Sequence, residues 1–77
     1  MNKQRRKTIE EVIGLLEDAK STLETITEEE QEAYDNLPEG IQDSERGETM
    51  YNNVSEMEEV SSTLEDVISQ LQGVIEA

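Results

Sequence analysis

Apolar residues recur along this chain at helical spacing. From Ile9 onwards, Ile9, Leu16, Leu23 and Leu37 stand seven or fourteen residues apart, and Val12, Ala19, Ile26 and Ala33 fill the positions three residues further on. Ile13 widens the stripe on one side. A second run holds Met50, Val54, Met57, Val60, Ser61, Leu64, Val67, Ile68, Leu71, Val74 and Ile75, which fall on three positions of one heptad. That stripe is wider than a two-stranded seam needs, and it suits a helix that touches two neighbours.

The stretch "YDNLPEGIQDSERG", residues 34 to 47, interrupts the pattern with the only proline and two of the four glycines. Helix is disfavoured at Leu37, which precedes Pro38. Pro38 fits the first position of a turn, and Gly40 can supply a positive φ. Thr8 with Glu11 has the form of a capping box that starts the first helix. Asp43 or Ser44 can cap the second, and Gly47 is a weak helix former inside its first turn. Thr27 with Glu30 repeats the capping-box pattern and marks a point where the first helix can break.

These signals predict a single domain with a basic segment over 1–7, a helix over 8–36, a bend over 37–44 and a helix over 45–76. Two helices of about 30 residues, each about 45 Å long, joined by one short connection fold back antiparallel. The predicted fold class is therefore all-α: an antiparallel two-helix hairpin, coiled-coil-like, dimerising into a four-helix bundle. Leu16, Leu23, Met57, Leu64, Ile68 and Leu71 are the expected oligomer interface. Tyr34 and Tyr51, about equally far from the bend, should meet and form an apolar plug with Leu37, Ile41 and Met50.

Composition supports association. A chain of 77 residues buries only about 60% of its unfolded surface, and this one is 32% apolar with no Phe or Trp. It has no Cys and no His, so disulfides, zinc and haem cannot stabilise it. No apolar run reaches the roughly 18 residues of a membrane span. The basic N-terminal stretch leads into "TIEEVIGLLEDAK", too acidic for a secretory signal. A soluble, intracellular protein is expected, with no membrane partner.

Charge sharpens the picture. The formal net charge is −14, with Lys3, Arg5, Arg6 and Lys7 gathered at the N-terminus and only Lys20 and Arg46 among the twenty acids that follow. A body so acidic repels nucleic acid and attracts basic protein surfaces. On the second helix Glu56, Glu58, Glu59, Glu65 and Asp66 have no basic residue among them, although like charges at this spacing weaken a helix. Solubility is one explanation. Another is steering toward a basic partner, with carboxylates standing in for phosphates. At the bend, Arg46 sits in sequence among Glu39, Asp43, Glu45 and Glu48, where it can order the loop; alternatively Tyr34 and Arg46 contact a partner or an anionic small molecule. The basic N-terminus suits an acidic surface of a neighbouring subunit better than nucleic acid.

Catalytic chemistry is not legible. An EF-hand alignment starting at Asp35 puts Gly40 sixth, but it puts Leu37 third and Arg46 twelfth, where ligands belong. A di-iron bundle needs Glu-x-x-His motifs, and no serine has a base, no glycine-rich loop awaits a phosphate and no basic groove carries aromatics. No enzyme activity, cofactor or metal is expected.

The combination "NKQRRKTIEEVIGLLEDAK", "EEEQEAYDNLPEGIQDSERGE" and "LEDVISQLQ" resembles small acidic proteins encoded by phages and prophages of Gram-positive bacteria. The resemblance implies a product acting in the cytoplasm of a bacterial host, often as an inhibitor aimed at host enzymes or defence systems. The expected function is to bind and inhibit or modulate a basic, nucleic-acid-binding host protein, such as a defence or CRISPR nuclease, as a DNA mimic. The alternatives are a structural or assembly module, and a sponge for an anionic nucleotide signal held by Arg46 or the basic N-terminus. Tyr34, Arg46, Glu56, Glu58, Glu59, Glu65 and Asp66 are the candidate partner-binding residues.

Overall fold

The computed structural model describes all 77 residues and is all-helical. Helix α1 spans Lys3–Asp35, the single turn α2 spans Glu39–Gln42, and α3 spans Glu45–Glu76. α1 and α3 pack antiparallel along their length into a rod of 58 × 15 × 13 Å. No helix is long and apolar enough to cross a membrane.

The start of α1 differs from the expectation. Asn2, in extended conformation, is its cap, and its Oδ1 accepts a hydrogen bond from the Arg5 amide at 2.8 Å. Thr8 is already inside the helix and its hydroxyl donates to the Gln4 carbonyl. An extended Asn offers the orphan first-turn amides the same oxygen acceptor as a Thr, so starting earlier gains helical hydrogen bonds. α1 also runs unbroken through Thr27, whose hydroxyl donates to the Leu23 carbonyl at 2.8 Å.

The bend is more helical than a simple turn. The Pro38 carbonyl accepts from the amides of Ile41 and Gln42 at 2.8 and 3.1 Å, which makes α2. No glycine has positive φ, so the freedom expected of Gly40 is not used. Gln42 folds back to donate to the Tyr34 carbonyl at 3.0 Å, a carbonyl at the helix C-terminus that also accepts from the Leu37 amide at 3.1 Å. Ser44 caps α3, accepting from the Gly47 amide while its hydroxyl donates to the Ile41 carbonyl. Glu45 and Glu48 then lie at the positive end of that helix's dipole.

The seam lies one step round from the predicted stripe. Along α1 the inward positions are Arg6, Ile9, Ile13, Leu16, Lys20, Leu23, Thr27, Glu30 and Tyr34, followed by Leu37. Along α3 they are Gly47, Met50, Val54, Met57, Ser61, Leu64, Ile68, Leu71 and Ile75. Both alternate three and four residues apart, the heptad a/d pattern of paired helices. With Ile13 and Ile68 as a, and Leu16 and Leu71 as d, the a positions include the buried Ile13, Thr27, Gly47, Val54 and Ile68. The d leucines and methionines are only half-buried. Val12, Ala19, Ile26 and Ala33, expected in the seam, occupy g and are exposed. The core is thin: only Ile13, Val54 and Ile68 are buried hydrophobic residues, and none is wholly enclosed.

Candidate protein-binding faces

An antiparallel pair sets the e positions of its two helices side by side along one flank, and the g positions along the other. The e flank is acidic. Glu10 and Gln72 line one shallow hollow, Glu17 and Glu24 of α1 line another with Glu65 of α3, and Glu24 with Glu58 lines a third. One cation interrupts this row. Lys20 leaves the seam at an a position and carries its ammonium to 2.6 Å from Glu24 Oε1 and 3.5 Å from Glu65 Oε2, tying the two helices in register. These are the only ion pairs in the chain.

The Glu24 hydrogen bond lifts the Lys20 ammonium above the usual lysine range; desolvation opposes this, and the charges of Glu24 and Glu65 add to it. A raised folded-state value means that the contribution is present at neutral pH. It is lost only as strongly alkaline pH passes through that value.

At the bend the two tyrosines do meet, with ring centroids 5.9 Å apart and planes tilted by 57°. Tyr34 and Tyr51 share a hollow with Gln42, Asp43, Glu48 and Asn52. Met50 and Leu37 are half-buried there, whereas Ile41 is exposed. Arg46 lies apart from Tyr34, at a g position in a separate depression with Glu45, Thr49 and Met50. It is exposed and forms no ion pair with the surrounding acids.

The other candidate residues divide by face. Glu58 and Glu65 join Glu17 and Glu24 on the e flank. Glu59 and Asp66, at f, point away from the seam, and Glu56, at c, borders the opposite flank; all are exposed. Glu10, Glu17 and Glu24 were not singled out from sequence, although their sevenfold spacing identifies a row once the seam is known. Nowhere do three acidic side chains converge closely enough to hold a metal ion.

The g flank is apolar. Val12, Ile26, Val60, Val67 and Val74 are 41, 47, 46, 37 and 39% exposed, and Leu15 beside them is 70% exposed. Of the residues expected at the oligomer interface, Ile68 is enclosed within the hairpin at 3% exposure. Leu16, Leu23, Met57, Leu64 and Leu71 occupy the half-buried d positions, next to this flank. Compared with models of known protein families, with curated proteins and with solved structures, the chain matches none.

Proposed function

We propose that this chain is a non-catalytic helical protein, paired into a four-helix bundle, that binds a basic protein surface and so blocks or modulates the protein that carries it. The observation that supports this is the e flank, where Glu10, Glu17 and Glu24 run alongside Glu58 and Glu65 with Lys20 as the only cation. Carboxylates held at heptad intervals on a rigid rod present repeated negative charge to a groove that ordinarily holds phosphates. Together with the resemblance to phage proteins, this makes a nucleic-acid-binding enzyme of a bacterial host, such as a defence nuclease, the target class.

Displacement of a fluorescent DNA duplex from a panel of basic nucleic-acid-binding proteins tests the reading. The chain is expected to displace DNA at about 0.1 M salt and to lose that ability near 0.5 M, as the screening length shortens. Replacing Glu58 and Glu65 by lysine should weaken displacement at least about tenfold, since reversing charges at a steered interface costs both attraction and rate. Failure to compete with DNA on any of these proteins at low salt contradicts the proposal. A second reading, a module that assembles with other helical proteins, is favoured by the exposed valines of the g flank. Its association would persist at high salt.

A further inference from the structure

We propose that the apolar g flank docks a second copy of this chain, antiparallel to the first. The inference rests on the paired bundle proposed above and gives it a face and a direction.

The flank suits a copy of itself because charge closes the other approaches. The e flank and the outward f positions of both helices carry repeated Glu and Asp with Lys20 the only cation beside them, so two bodies of net charge −14 repel there. Along g the side chains are chiefly valine, isoleucine and alanine, with Ala19 and Ala33 small enough to let a neighbouring helix come close. The same flank also explains a contrast within the hairpin. The a side chains Ile13, Val54 and Ile68 are buried, but the d side chains Leu16, Leu23, Leu64 and Leu71 are only half-buried. Since d borders g, a hairpin seated on g would cover what the chain's own fold leaves half-open. It would thereby join the d and g positions of four helices into one core.

Direction follows from the two ends. The open end carries Lys3, Arg5 and Lys7, none of them ion-paired, at the N-terminus of α1, where the helix dipole disfavours cations. Arg6 beside them has a buried Nε with no partner, and its only side-chain hydrogen bond is a long one, 3.5 Å, to the Ala77 carbonyl. The bend end carries Glu39, Asp43, Glu45 and Glu48 against the single cation Arg46, all without ion pairs, so that it stays net acidic. Antiparallel docking sets the basic end of each copy against the acidic bend of the other. Parallel docking sets like charge against like at both ends.

Two measurements on the full chain test this. Val60 and Val67 are exposed in the hairpin, so changing both to glutamate leaves the seam intact and helicity should persist by circular dichroism. Light scattering should give twice 8.7 kDa for the native chain and 8.7 kDa for Val60→Glu/Val67→Glu. The dimer is expected to weaken at least about 100-fold through lost apolar burial and new like charges. A variant that remains dimeric overturns the choice of face while the bundle stands; a monomeric native chain removes both. The second measurement does not depend on how that variant folds. A two-fold antiparallel docking lays α1 of one copy on α1 of the other, so chains with Thr8→Cys are mixed with chains with Ala33→Cys, each then holding one cysteine, and oxidised. The expected product is a disulfide between the two kinds, in excess over same-kind pairs. Predominance of same-kind pairs, or no disulfide at all, overturns antiparallel docking.

Discussion

Gly47 shows how a single residue can be required for a reason its own helix does not reveal. A Cβ there would lie 2.6 Å from the Ile41 carbonyl oxygen and nearer still to the carbonyl of Gln42, both backbone atoms that cannot swing aside. Alanine is intrinsically the better helix former by about 1 kcal/mol. Even so, Gly47→Ala should destabilise the chain by about 1–3 kcal/mol through overpacking, read as a lower urea midpoint. Ser61 is the opposite case. Its Oγ is buried without a hydrogen-bond partner, so Ser61→Ala should raise stability by about 1 kcal/mol. For Lys20, alkaline titration should remove the Glu24-bound ammonium and lower the melting temperature of the native chain more than that of Lys20→Met. An equal loss in both would contradict its role. Residue-level signals were legible where the chemistry is local: Ser44 caps α3 within the range read from sequence. The Asn2 cap was missed because Thr8 with Glu11 offered a stronger local pattern. The need for glycine at 47 was missed because it arises from the carbonyls of α2, an element with no periodicity of its own.

At the scale of the helices, α3 was read at its observed bounds, Glu45–Glu76, and α1 was continuous where a break had been considered. The seam was displaced for a physical reason. α3 carries an apolar stripe three positions wide, so hydrophobicity alone does not say which two of them face the partner helix. On α1 the apolar positions are d and g rather than the a and d that the seam uses. On α1 the apolar choice was Val12, Ala19, Ile26 and Ala33, but the structure turns Ile13, Lys20, Thr27 and Tyr34 inward. Specific pairs accompany that rotation: Lys20 reaches Glu65 across the hairpin, and Tyr34 meets Tyr51. Lysine and threonine at a positions limit the seam's apolar content. Lys20→Leu should therefore raise the melting temperature, because a leucine at that position extends the apolar contact of Leu16 and Leu23 along the seam. A fall would mean that the Lys20 ion pairs matter more to the hairpin than apolar contact there. The candidate sites were legible as acidic residues but not as a face. Glu58 and Glu65 were identified, whereas Glu10, Glu17 and Glu24 become their companions only through the antiparallel register.

As a whole molecule, the chain has a radius of gyration of 17.4 Å, against about 11 Å for a compact globule of this length. A single rod only 13 to 15 Å across has little interior, which accounts for three buried hydrophobic residues in a chain of 77. Like charge on almost every outward face adds repulsion along the rod. Added salt should consequently raise the melting temperature, in contrast to a fold held by exposed ion pairs. The all-helical hairpin was legible from periodicity and from one proline-containing bend. Pairing between copies is a property of surfaces, and it rests on what one chain leaves uncovered. The most direct test is the molar mass of the native chain by light scattering at about 0.1 M and 1 M salt, with helicity followed on the same samples. The paired bundle predicts a helical species of twice 8.7 kDa at both. A folded species of 8.7 kDa at both salts would contradict it.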